Sequence, residues 1–185
     1  MDTPSGFPRL NGIRLDTVGE LVHAILGDEQ KAQTTPSVNV RWNGGFRTEA
    51  RIRQFDPVPS DAPVSFGGDD TAPNPVEQLL GALGNCLAVG YATNPNIAGI
   101  EINTLNIKLK GRPNVQTFLS LCNGNAGYGG IKAEVYLESN SSAEELKDLH
   151  EKVTGSSLVG QTLIRPLPVT IELAEPANTV AVGLP

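Results

Sequence analysis

Residues 72–92 read APNPVEQLLGALGNCLAVGYA, and this stretch decides the fold. Asn74 is a good N-cap, Pro75 suits the first helical position, and Glu77 stands three residues past Asn74. Together they make a capping-box variant. The helix is predicted to run from Pro75 to about Ala92, because Pro95 disfavours helical geometry at Asn94. Leu79, Leu80, Ala82, Leu83, Leu87, Ala88 and Val89 cover most of its circumference. A helix apolar all round is buried on all sides. It also carries Gly81, Gly84 and Gly90, each costing about 1 kcal/mol relative to Ala. Glycines accepted at that cost permit close approach of a second helix or a sheet. Cys86, near the middle, is either a small core filler or a thiol buried for chemistry.

Upstream, residues 1–12 form an arm rich in Pro, Gly and Ser/Thr. Leu15, Val18, Leu21, Val22, Ile25 and Leu26 make a helical stripe within residues 15–33. The period then changes to two. Val38, Val40 and Trp42 share one face, as do Phe46, Thr48, Ala50 and Ile52. Asn43-Gly44-Gly45 between them predicts a hairpin. Residues 56–73 read as a long loop with a short strand near Val64–Phe66.

Downstream, alternation returns in Leu105, Ile107 and Leu109, and again in Ile131, Ala133, Val135 and Leu137. The segment between begins extended and ends as a glycine-rich loop. Ser142 with Glu145 is a second capping box, opening a helix to about Val153. A short helix includes Leu158, Val159 and Leu163, and Leu167, Val169, Ile171 and Leu173 alternate in a closing strand. Strands that each bury one face belong to antiparallel sheet, so the class is α+β. One sheet cannot bury the helix at 75–92 completely. Either a second copy of the chain covers its other side, as in a homodimer, or the N-terminal helix does. The natural division is 1–35, arm and helix, and 36–185, the main domain.

Composition limits the functions available. The chain has 185 residues, 39% of them hydrophobic and 18% charged, with net charge −6. It has no basic stripe and few aromatic residues, so nucleic-acid binding lacks its electrostatic footprint. No apolar run reaches the roughly 20 residues of a membrane span. The N-terminal residues show no signal-peptide pattern, which predicts the cytoplasm. Cys86 and Cys122 cannot make a disulfide framework, and His23 and His150 lack ligand spacing. Neither a metal nor a cofactor is expected.

The order WNGGFR, a proline-rich loop with FGGDD, APNPVEQLLGALGNCLAVGYA, alternating strands, SSAEELKDLHEKVTGSSLVGQTL and a PLPV strand resembles the OsmC/Ohr family of small thiol proteins over residues 36–174. The most specific piece is the NP-x-E-x-LL-x-AL-x-x-C helix. The resemblance implies an intertwined homodimer, with antiparallel sheets wrapped around central helices and an active site at the subunit interface. It implies reduction of organic hydroperoxides or hydrogen peroxide by a reactive cysteine, assisted by an arginine and a glutamate. A second cysteine then closes a disulfide.

Carried across, Cys86 matches the reactive cysteine. Its thiolate is the nucleophile, and at a free pKa near 8.5 only about 3% is ionised at pH 7. Arg47, just after the two-glycine turn, is the expected basic partner, with Arg41 a weaker candidate and a solvated sheet face the alternative for Arg47. Glu77 is nine residues before Cys86, about 900° of helix, and so projects from the opposite face. The family's glutamate position is occupied by Val76. Capping accounts for Glu77 better than catalysis does. Where the family places its second cysteine the chain has Ser157-Leu158-Val159. Serine cannot form a disulfide, so an external thiol is expected to reduce Cys86. His150 and Ser157 are candidate pocket residues. The expected function is reduction or sensing of hydroperoxides through Cys86. The alternative is a non-catalytic relative that binds a small apolar or thiol ligand in the interface cavity.

Overall fold

The computed structural model describes residues 9–94 and 99–174. Its centre is the helix α2, Pro75–Thr93. The capping box forms as its residue types require. The Asn74 side chain accepts from the Glu77 amide and the Glu77 carboxylate accepts from the Asn74 amide, both at 2.9 Å. Pro95, the residue that ends this helix in the sequence reading, lies outside the described residues.

The helix α2 packs on a long antiparallel ribbon, β6 (Ile102–Pro113) with β7 (Tyr128–Ser139), and on two further helices, α4 (Ala143–Ser156) and α5 (Leu158–Ile164). Leu105 pairs with Leu137, Ile107 with Val135 and Leu109 with Ala133, so the alternating apolar residues share one face. That face meets a core of Leu83, Leu87, Tyr91, Ile100, Leu149 and Val153. The spacing of Leu83, Leu87 and Tyr91 is one helical turn each. Two of the three glycines explain themselves. A Cβ on Gly84 would lie 2.8 Å from Leu109 Cδ1 of the ribbon, and one on Gly90 would lie 2.9 Å from Val153 Cγ1 of α4. Gly81 faces open space.

A separate three-stranded antiparallel sheet has the order β3 (Asn39–Trp42), β4 (Thr48–Arg51), β5 (Val58–Ser60). The predicted hairpin is there, with Trp42 opposite Thr48 and both turn glycines at positive φ. The third strand lies earlier than predicted. Residues Val64–Phe66 are a 3-10 turn instead. Pro57 and Pro59 obscure the strand in the sequence, yet an edge strand tolerates proline because one side needs no ladder bond.

The N-terminal segment makes a small hairpin, β1 (Arg9–Leu10) with β2 (Ile13–Arg14), then α1, Leu15–Gly27. Residues 1–8 of the predicted arm are outside the described residues. Asn11 docks the hairpin on the ribbon, donating to the Ile100 carbonyl and accepting from the Ile102 amide. The predicted helix 15–33 stops early because Asp28 accepts from the Gln30 amide and starts a 3-10 turn, Glu29–Ala32. The segment after β6 also departs from expectation. Asn114 caps a one-turn helix, α3 (Val115–Phe118), where an extended start was predicted.

Three expectations of burial are not met within one chain. The apolar face of β3 is open, with Trp42 69% exposed. The alternating residues Leu167–Leu173 join no sheet and are exposed. The α2 helix is covered on one side only, leaving Val76, Leu79 and Val89 exposed. One ribbon and two helices cannot surround it. The N-terminal helix α1 makes its principal contacts with the following 3-10 turn, not with α2.

Candidate active site

Cys86 lies on α2 where the α4–α5 junction crosses it. The chain turns there because Ser157 ends α4 and caps α5, with extended φ/ψ of −63° and 115°. The Ser157 hydroxyl accepts from the Gly160 amide at 3.1 Å and donates to Cys86 Sγ at 3.4 Å. The Val159 amide donates to the same sulfur at 3.5 Å. Gly160 is buried, and a Cβ there would lie 2.9 Å from the Ser157 oxygen. The absence of a side chain at 160 thus leaves the hydroxyl its place.

Burial pushes the Cys86 thiol up. Hydrogen bonds from the Ser157 hydroxyl and from the Val159 and Leu158 backbones outweigh it, and the net result lies below the ordinary thiol range. Hydrogen bonds to the ionised form are one of the three ways a protein moves a pKa. All the groups lowering this one are neutral. Ser157 itself is only 4% exposed, so water does not compete for its bond to the sulfur.

The other residues named from the sequence are placed as follows. Arg47 is engaged by Asp69 at 2.7 Å on an exposed surface and is not among the groups acting on Cys86 in the same chain. Glu77 is occupied at the α2 cap. Arg41 lies on β3, where it acts on Glu49. His150 Nδ1 is hydrogen-bonded to the Tyr91 hydroxyl, with the rings stacked 6.1 Å apart. Cys122 is exposed, 3.5 Å from Thr117 Oγ1, and both cysteines are free. Within the chain, then, the structure brings together Cys86 and Ser157, while Arg47, Glu77 and His150 have partners elsewhere.

Two groups escaped the sequence reading. The Val159 amide carries no sequence signal, since every residue but proline has one. Asp61 was legible only as part of a polar loop. It is 2% exposed and accepts from the amides of Ala62, Asp69 and Thr71 and from the Thr71 hydroxyl. Those bonds, first the one from the Thr71 amide, hold its carboxyl below the usual range. They also fix the loop that presents Asp69 to Arg47. In that loop a Cβ on Gly68 would fall 2.0 Å from the Ala62 carbonyl oxygen, so FGGDD admits no side chain there.

An apolar groove of about 550 Å³ opens beside the junction, lined by Leu83, Leu87, Ile131, Ser157, Leu163 and Ile164 among others. Among the described residues no helix is long and apolar enough to cross a membrane. No cluster of three or more His, Cys, Asp or Glu side chains there can hold a metal ion.

This arrangement, a mid-helix cysteine over an antiparallel ribbon with its sulfur held at a helix junction, defines a mixed α+β thiol protein. The chain belongs to the OsmC family: the profile described as OsmC-like protein matches residues 67–172. Solved structures agree on the fold. An OsmC-like protein from Mycoplasma pneumoniae superposes with a TM-score of 0.62 at 20% identity, over 71% of this chain and 89% of that one. An organic hydroperoxide resistance protein OsmC from Legionella pneumophila gives 0.55 at 12% identity, over 71% and 91%. An organic hydroperoxide resistance protein from Elizabethkingia anophelis gives 0.52 at 18%, over 70% and 89%. No curated protein matches the sequence.

Proposed function

We propose that the protein reduces or senses hydroperoxides through Cys86. The observation that carries this reading is the pair of hydrogen bonds donated to Cys86 Sγ by Ser157 and Val159. They favour the thiolate, the form that attacks peroxide. The names of the Legionella and Elizabethkingia proteins, with which this chain shares its fold, support the same chemistry.

The reaction balances without a second protein thiol. The Cys86 thiolate attacks one peroxide oxygen, the S–O bond forms and the O–O bond breaks. The leaving alkoxide takes a proton and departs as the alcohol. The sulfur, oxidised by two electrons, is a sulfenic acid. Ser157 cannot resolve it. One external thiol displaces water to give a mixed disulfide, and a second restores Cys86 and leaves with the first as a disulfide.

The working unit in this proposal is a cytoplasmic homodimer with the site at the subunit interface. The uncovered face of α2, the open apolar side of β3 and the unpaired alternation at 167–173 are the surfaces a second copy would cover. Arg47 from that copy is the candidate cation for the site. Glu77 remains a weak candidate for catalysis, since its carboxylate already serves the helix cap. The 550 Å³ groove, lined by Ser157 and not by Cys86, favours a second reading, a non-catalytic protein that holds a small apolar or thiol ligand there.

Steady-state consumption of cumene hydroperoxide, with dithiothreitol as the reductant, separates the two. The first reading predicts turnover in the wild type and none in Cys86→Ser. No turnover above the buffer rate in the wild type, with a small molecule retained in native mass spectrometry, would favour the second.

A further inference from the structure

We propose that Ser157 is a catalytic residue of this chain, the hydroxyl donor that keeps the Cys86 sulfur ionised. This rests on the reading of Cys86 as the nucleophile, and it gives the serine a positive role in place of a missing disulfide partner. A hydroxyl has one proton to give. The Gly160 amide donates to the Ser157 oxygen at 3.1 Å, and Sγ lies 3.4 Å away as the acceptor for the hydroxyl proton. The oxygen is thus polarised by one hydrogen bond while it donates the other, an arrangement in which successive bonds strengthen one another. The site is built to hold this geometry. Ser157 is nearly fully buried, its backbone is fixed at the turn between α4 and α5, and Gly160 leaves room for its oxygen. Among the described residues no charged side chain of the same chain acts on the sulfur, so the neutral hydroxyl carries a share of the ionisation that a guanidinium alone was expected to supply.

The role extends through the cycle. When the thiolate becomes a sulfenic acid, a cysteine in place of Ser157 would attack it and close a disulfide. The serine oxygen does not, so the oxidised sulfur stays available to an external thiol. The same residue therefore promotes the first step and leaves the second to a small molecule.

The test is the pH dependence of iodoacetamide alkylation in a Cys122→Ser background, where Cys86 is the one remaining thiol. The parent should show a midpoint below about 8.5, the value of an ordinary thiol. Ser157→Ala should raise the midpoint by about 0.5–1.5 pH units, so that alkylation near neutral pH slows about three- to thirty-fold. Because Ala also removes the α5 cap, Ser157→Gly provides the second variant. Glycine is an accepted N-cap with neither a hydroxyl nor a charge, and it should raise the midpoint about as far as Ala does. Ser157→Thr, which keeps the hydroxyl, should return the midpoint to within about 0.3 units of the parent. A low parent midpoint that neither Ala nor Gly moves would overturn the proposal while leaving the peroxide reading in place. A midpoint that moves as described, in a parent whose thiol does not react with cumene hydroperoxide, would support the hydrogen bond and end the peroxide reading.

Discussion

At Cys86 two effects oppose each other: burial protonates the sulfur, and donors from Ser157, Val159 and Leu158 ionise it. The donors win because they are fixed by the backbone of a helix junction and pay no fresh cost of orientation when charge appears. On the reading proposed above, the site lacks a second sulfur. Ser157→Cys should supply it. The present oxygen is 3.4 Å from Sγ, and a disulfide needs about 2 Å, a gap that side-chain rotation can close. In the Cys122→Ser background, one equivalent of cumene hydroperoxide should convert Ser157→Cys to a species two hydrogens lighter by intact mass. The unsubstituted Ser157 protein should form no such species. Failure of the variant to form the bond would show that the two side chains do not face each other. The helix pattern alone left Cys86 open between core filler and reactive thiol, and the resemblance of its NP-x-E-x-LL-x-AL-x-x-C motif named it as the thiol. Of the groups that lower its pKa, Ser157 was named as a pocket residue in place of a second cysteine, while the other two are backbone amides and carry no sequence signal. The sequence reading looked for a charge, and within the chain the structure supplies dipoles.

Among the elements, α2 is the one on which the others are assembled. Its glycines are contact points, and Gly90 is the sharpest case: Val153, fully buried, occupies the space a Cβ would need. Gly90→Ala should therefore destabilise the fold by about 1–3 kcal/mol through overpacking, although Ala is the better helix former by about 1 kcal/mol. Chemical denaturation would measure this. A gain in stability would mean that α4 can move away at little cost. Much of this level was legible. Both capping boxes formed, the two-glycine turn made its hairpin, and the ribbon followed from period-two alternation. The misses have local causes. Val58–Ser60 hid behind two prolines that an edge strand tolerates. The α1 helix ended at Gly27 because the Asp28 side chain captured the next free amide. The alternation at 167–173 says which residues share a face and is silent about which strand they pair with.

At the scale of the whole molecule, large apolar side chains of the described residues stand open to water. One chain builds a core on one side of α2 and leaves Trp42, Val89 and Ile171 exposed, the last at 91%. In water this area seeks cover, and the homodimer proposed above provides it. Val89→Glu places a charge on the open face of α2 and should shift the protein from dimer to monomer in light scattering. Val89 is exposed and is not a member of the buried core, so circular dichroism should still report the helices. A wild-type protein that runs as a monomer at all concentrations would rule out the proposed interface. The proposed chemistry makes Cys86 a thiolate nucleophile in a site that cannot resolve its own oxidation. Intact-mass analysis of the reduced protein after one equivalent of cumene hydroperoxide tests it most directly. The expected result is a gain of about 16 Da, one oxygen, located on Cys86, trapped by dimedone and erased by dithiothreitol. An unchanged Cys86, or a disulfide between Cys86 and Cys122, would contradict it.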